Sequence, residues 1–297
     1  MAQYKSYDQV GKKEDISDII SNISPTKTPF QSMIGSETVH NTLFQWQEDS
    51  LRAVAENAQV EGFTANPTAR TPTVMRSNTT QILQDTFNVS GTADKVSTYG
   101  RAKESAYQAS KAAAQLKRDF EHALIGTAQV SATGDSNTPR KMAGVQAQID
   151  SSMIVYTGNT STKPDEDDIL AAQKKCYDEG ADTSVMMITP ANATAIADLA
   201  KATGRTRDLA QEKKVVNVVD LYISPYGEHR VILNRFLKDK DTLIFDPENW
   251  KKATLRGWFR ETLAKTGDNT TMMIVGEFSL KHKNYKASAL IREAASG

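Results

Sequence analysis

The chain has one cysteine in 297 residues, Cys176, so it cannot form an intrachain disulfide. Histidine is scarce as well. His40, His122, His229 and His282 are the full set, and none stands three or four residues from another, which excludes a helical metal pair. Charge of either sign is not in excess, with 36 Lys plus Arg against 36 Asp plus Glu. The densest basic clusters, around 281–286 and 111–118, are short and diluted, so the basic block that tight nucleic-acid binding requires is missing. No apolar run approaches the ~20 residues of a membrane span. The N-terminal stretch MAQYKSYDQVGKKED is polar and unlike a secretory leader, so the chain is expected to be made in the cytoplasm.

Chemical signatures are equally sparse. GxGxxG, GxxxxGK[ST] and GxSxG are all absent, which removes support for phosphate cradles and nucleophile elbows. The acidic run Asp165–Asp168 lacks EF-hand spacing and its turn glycine, and fits a solvated helix N-terminus better. Cys176 sits on an amphipathic stretch with Leu170 and Ala172 and reads as a small buried hydrophobe rather than a nucleophile. His122 reads as a surface residue. Trp46, Trp250 and Trp258 are scattered, a pattern suited to packing or interface anchoring and not to a base-stacking platform. No catalytic residue, metal site or cofactor is expected.

What is present is a succession of unlike segments. Residues 1–40 have a polar start, then Ile16, Ile19, Ile20 and Ile23 on a short amphipathic turn that Pro25 and Pro29 stop. Residues 41–90 hold a strand at 42–47 and another running from Ser77 to Ser90, around an Ala-, Asn-, Thr- and Pro-rich tip. In 101–125, Ala102, Ala106, Ala109, Ala113, Leu116, Phe120 and Leu124 recur at helical spacing and predict a helix ~37 Å long, with Gly126 at its end. Pro164 and the following acids open a second helix that stops near Gly180. A buried strand at 184–189, a helix at 193–201, and strands at 215–224, 230–237 and 241–245 make an α/β block. Strands at 254–261, 272–281 and 287–291 close the chain, with the long helix expected to pack across them.

The order of these segments resembles the major capsid protein fold of tailed bacteriophages, and more closely its podophage-type branch. The resemblance is carried by DISDIISNISPTKTPFQSMIG, LFQWQEDSL, FNVSGTADKV followed by GRAKESAYQASKAAAQLKRDFEHALI, and LYISPYGEHRVILNRFL with TLIFDPENWKKATLRGWF. No one stretch is diagnostic; their succession across nearly the whole chain is.

The resemblance implies an α+β fold with an N-arm at 1–40 and an E-loop hairpin at 41–90 lying over a neighbour. It implies a peripheral domain with the spine helix at 91–164, an axial domain at 165–250, and peripheral strands at 251–297. It implies a structural shell subunit that forms hexamers and pentamers of an icosahedral head enclosing double-stranded DNA, and so a virion location. The implied partners are other copies of the chain, a portal, a separate scaffolding protein and a cement protein, with packaged DNA touched non-specifically and no membrane. About 40 residues precede the hairpin, and the chain starts with Met1, so a cleaved scaffolding extension is not expected. Some relatives weld the shell by joining an E-loop Lys to an Asn next door. From Thr42 to Ser90 there is no Lys, and Arg52, Arg70 and Arg76 are the only cations, so no such crosslink is expected. Phe30, Trp46, Arg52, Arg70 and Arg76 are the candidates for contact between subunits. Two other readings stand beside this one: an encapsulin-like cargo compartment of the same fold, and an α/β enzyme centred on 165–250. The segments before residue 90 are expected to gain order only over sister copies.

Overall fold

A computed structural model describes residues 26–65, 67, 69–99, 102–158, 163–202 and 221–293, without the side chains of 199–202. Ile16, Ile19, Ile20 and Ile23, and the 215–220 part of one expected strand, lie outside the described residues.

The chain opens with a one-turn helix α1 (Pro29–Met33), in which proline occupies the helix start, where its missing N–H is no loss. Strand β1 (Gly35–Thr38) and a hairpin of β2 (Leu43–Glu48) and β3 (Val74–Thr79) come next. Then come β4 (Gln81–Ser90), the short α2 (Gly91–Lys95) and the long α3 (Glu104–Ile125). After a loop come β5 (Ile154–Tyr156), α4 (Glu166–Asp178), β6 (Val185–Ile188), α5 (Pro190–Ala202), β7 (Leu221–Ser224), β8 (Gly227–Leu233) and β9 (Thr242–Phe245). The last strands are β10 (Trp250–Thr262), β11 (Asn269–His282) and β12 (Ala289–Arg292).

Two sheets organise these elements. One has the order β1-β10-β11-β4 and the other β5-β12-β9-β6-β8-β7. The first is built on the long antiparallel pair β10–β11, with β4 added antiparallel to β11 and β1 parallel to β10. In the second, β6 and β9 are buried at every position, as expected of central strands covered on both faces. Helix α4 begins with a reciprocal cap. Asp165 accepts from the Asp168 N–H at 2.8 Å, and Asp168 accepts from the Asp165 N–H at 3.2 Å. The helix ends before Gly180, whose φ of +82° only glycine adopts without strain.

Helix α3 packs on β4 and β11, but on a face other than the alanine stripe. Ala102, Ala106 and Ala113 are exposed, whereas Ala112, Leu116, Phe120, Ala123, Leu124 and Ile125 are buried. Alanine carries too little apolar area to orient a helix. The azimuth is set by Leu116, which meets Ile274 near Leu83 and Phe87, and by Phe120, whose ring lies 5.2 Å from that of Phe278.

The structure divides two expected segments. The strand expected from Ser77 to Ser90 breaks at Thr80, where the Thr80 N–H donates to the Thr42 carbonyl and its hydroxyl to Glu277 at 2.6 Å. Residues before the break pair with β2, and those after it join the four-stranded sheet through β11. At the C-terminus, β12 does not stay with β10 and β11. Its buried Ala289, Leu290 and Ile291 insert between β5 and β9 of the other sheet.

Candidate assembly surface

The hairpin β2–β3 leaves the body through a tightly bonded root. Asn78, fully buried, donates to the carbonyls of Leu280 (2.6 Å) and Ala143 (3.2 Å) and accepts from the Ala143 N–H (2.8 Å). Ser279 donates its hydroxyl to the Thr79 carbonyl at 2.7 Å. Glu277 accepts from Thr80, from Arg140 at 2.6 Å and from Arg256 at 3.1 Å, so one buried carboxylate ties the hairpin exit to a loop and to β10. One step further out, Glu48 accepts from Arg76 at 2.5 Å and from the Tyr285 N–H at 2.7 Å, and the Arg76 guanidinium lies 4.2 Å from the Tyr285 ring centre.

An aromatic series runs inward from this root. Phe44 stacks on Trp46 at 5.6 Å, Trp46 meets Tyr285 at 6.3 Å, and Tyr285 meets His282 at 5.9 Å. His282 stacks on Trp250 at 3.8 Å and 4°, Trp250 meets Phe30 at 5.9 Å, and Phe30 meets Phe245 at 5.5 Å. His282 is wholly buried, and desolvation pushes its pKa down to about 3. Its neutral ring is held by Nδ1 against the Gln148 carbonyl at 2.9 Å and by Nε2 against the Ser288 hydroxyl at 3.1 Å, which also accepts from Trp250 Nε1.

Beyond Glu48 and Val74 the character changes. The described residues of 49–73 form no strand or helix, and most of their side chains face outward. Leu51, Val54, Val60 and Phe63 are 99%, 102%, 78% and 57% exposed. Large apolar side chains clustered on one projecting loop mark a surface that gains by being covered. The arrangement is a rigid stalk with an uncovered end.

The expected contact residues divide accordingly. Phe30 is corrected as a contact candidate: it lies at 0% exposure in the subunit's own core, because α1 folds back on α3. Trp46 is 8% exposed and Arg76 is bonded to Glu48, so both spend their side chains on the hairpin root. Arg52 and Arg70 are exposed on the loop. The broader expectation that everything before residue 90 takes its order from sister copies also needs correction. Residues 29–48 and 74–90 are bonded or packed within the subunit, since β1, β3 and β4 each find a ladder partner there.

Glu121 was not legible from sequence, where it falls among the charged residues off the apolar stripe. It is buried, accepting from the N–H groups of Phe30 (2.8 Å) and Gln31 (2.9 Å) and from Asn234 Nδ2 (2.7 Å). It therefore joins α1, α3 and the residues after β8. Burial raises its pKa, opposed by these bonds. His122 is exposed, and Cys176 is buried, with desolvation pushing its thiol up to about 12. A thiol so protonated is a packing group and not a nucleophile.

Comparison with known proteins matches this architecture. The SU10 major capsid protein family matches residues 3–295. The major capsid protein of Escherichia phage Phieco32 is 33% identical over an alignment of 341 positions, covering 98% of this chain and 97% of that protein. Among solved structures, Gordonia phage Cozz aligns with a TM-score of 0.66 at 11% identity, over 96% of this chain and 92% of that one. The capsid of a native GTA particle aligns with a TM-score of 0.65 at 12% identity, over 98% of each chain. The holo-SrpI encapsulin complex of Synechococcus elongatus gives a TM-score of 0.65 at 11% identity, over 98% of this chain and 96% of that one. The structural likenesses show a common fold.

Proposed function

Because this chain belongs to the SU10 major capsid protein family, and so is a structural capsid protein of a phage, we propose that its copies assemble into hexamers and pentamers of an icosahedral head around double-stranded DNA, each laying residues 49–73 over a neighbour. The observation that carries this reading is the contrast at the hairpin, where a root pinned by buried bonds presents a loop with four exposed large apolar side chains. In the family's terms this hairpin is the E-loop, α3 the spine helix, the β10–β11 sheet the peripheral domain and the six-stranded sheet the axial domain. The subunit has no catalytic role. An encapsulin-type container shares the fold, but the sequence likeness at 33% is to a phage capsid protein. Zero net charge suits a wall that must not grip its contents, because phosphate binding scales with the cations offered. A portal, a separate scaffolding protein and a cement protein are the further partners of such a head.

Glu48 pairs with Val74, so replacing residues 49–73 by Asn-Gly leaves a two-residue hairpin turn in the native register. The variant is expected to be a soluble, folded subunit by circular dichroism that forms no shells in electron micrographs. Normal shells would end the loop reading. Separately, the absence of lysine between Thr42 and Ser90 leaves no amine for an isopeptide bond from the hairpin. Particles boiled in detergent are expected to run as a single band near the 32.6 kDa of the subunit, and a ladder of covalent multimers would overturn that.

A further inference from the structure

We propose that the outer edge of β10 beyond Thr254 receives residues 51–60 of a second copy of this chain as an added strand. The proposal rests on the assembly reading above and names the surface that receives the loop.

The edge is open by construction. Strand β1 covers β10 only from Lys251 to Thr254, and the last bond along that side runs from the Val39 N–H to the Thr254 carbonyl at 3.0 Å. Two register shifts come next, between Thr254 and Arg256 and between Arg256 and Phe259. The ladder to β11 then becomes regular again from Phe259 to Thr262, opposite Val275 to Met272. On the other side of this stretch, among the described residues, no strand pairs with it. A regular strand with one side unpaired presents alternating N–H and C=O groups to any extended chain that approaches.

Side chains at this edge are unusual for one left to solvent. Trp258 and Phe259 are 37% and 39% exposed. Edge strands that must stay unpaired rely on charges, prolines and bulges; this one has Arg256, Arg260, Glu261 and two register shifts, but sets two large exposed rings among them. Trp258 is also held in place: Gly276 opposite it has no side chain, and a Cβ there would stand 2.7 Å from the indole and 2.5 Å from Phe278. A fixed aromatic beside an open ladder is a ready contact for an incoming apolar side chain.

The loop supplies a segment of matching kind. Leu51 to Val60 contains neither proline nor glycine, so every residue can donate to a ladder, whereas Pro67 and Pro72 interrupt the remainder of the loop. Leu51, Val54 and Val60 are its exposed apolar positions. Charges are complementary. Within 51–60 Arg52 and Glu56 balance and the flanking Asp49 and Glu61 add negative charge, while 255–262 carry Arg256 and Arg260 against Glu261. The occupant is therefore a second copy's loop, attached by main-chain bonds and oriented by these charges.

Charge reversal and cysteine pairing test this together. Glu56→Lys alone and Arg260→Glu alone are each expected to lower shell yield at least tenfold, and the double variant to restore it. Single cysteines at positions 52–58, paired one at a time with cysteine at Arg260, Glu261 or Thr262, should give disulfide-linked multimers in assembled shells. The native Cys176 is buried and silent in that assay. Restoration in the double variant with intersubunit links establishes the acceptor. Links confined within one chain overturn it, as do normal shells without any link. If the Asn-Gly variant loses shells while all β10 variants assemble normally and unlinked, the loop docks elsewhere and only this acceptor falls.

Discussion

Glu121→Ala is expected to destabilise the subunit by about 3 kcal/mol, because it takes the carboxylate from two buried donors and one partly buried donor at once, leaving the Asn234 amide only Met187 Sδ. Those donors are the N–H groups of Phe30 and Gln31 and the Asn234 amide. Each orphaned buried donor costs about 1–3 kcal/mol. Relief from burying the carboxylate, and water entering the space, offset part of that sum. The loss should appear as a lower denaturation midpoint with an unchanged slope in chemical unfolding, and α1 should become the first segment to exchange its amide hydrogens. A midpoint within about 0.5 kcal/mol of the parent, the range of ordinary surface changes, would show that the carboxylate does not hold α1. The pH dependence has a definite sign. The folded-state pKa is raised above 4.5, so between 4.5 and that higher value the folded state binds more proton than the unfolded one. Stability from this group therefore rises as pH falls through that window, and Glu121→Gln should remove the rise.

Trp250→Ala is expected to cost about 3–5 kcal/mol, the range for deleting a large buried aromatic. Trp250 has no exposed surface, stacks on His282, meets Phe30 edge-on and donates to Ser288. Its loss opens a cavity at the meeting point of β10, β11 and α1 and leaves Ser288 one donor short. Chemical unfolding measures the cost; a change below about 1 kcal/mol would mean that the neighbours collapse into the space. His282 makes an opposite pH contribution to that of Glu121. Its pKa falls from 6.5 to about 3 on folding, so over that interval the unfolded state binds more proton. The stability it allows is fully present above 6.5 and is lost as pH falls toward 3. In the Trp250→Ala variant, water reaching the imidazole should raise its folded-state pKa toward 6.5, so that the loss is smaller and is complete at a higher pH, which proton titration of His282 by NMR would record.

Trp250 belongs to the aromatic series that runs inward from the hairpin root, and Glu121 bonds to Phe30, the next ring of that series, so both effects lie in the body behind the stalk. The root transmits the body's order outward through Trp46, Tyr285 and Arg76, none of which need touch a neighbour. If the loop docks as proposed, assembly measurements that vary these residues would read the posture of the stalk, whereas those that vary the exposed Arg52 or Arg70 would test the contact.

Much of this was legible in the sequence because it depends on local chemistry. Proline and acids at 164–168 mark the start of α4, Gly180 its end, and the unbroken apolar run Val185–Ile188 a central strand. The scarcity of chemically active motifs pointed away from enzymes, and the succession of arm, hairpin, long helix, α/β block and strands pointed to the family. What needed tertiary structure was everything decided by a distant partner. The alanines of α3 could not choose a face, since a methyl group weighs little against the rings and branched chains that meet Ile274 and Phe278. Glu121 carries a polar label in sequence, and only a backbone 90 residues earlier in the chain and an amide 113 residues later give it donors. Phe30 and Trp46 read as apolar residues in short, weak elements; whether such a residue faces a neighbour or its own core depends on which surface reaches it first. The chain alone thus specified its elements and its kin. Folding decided which of its apolar groups are used up inside the subunit and which, on the loop at 49–73 and the edge of β10, stay exposed. That division is set by long-range packing, which no local pattern encodes.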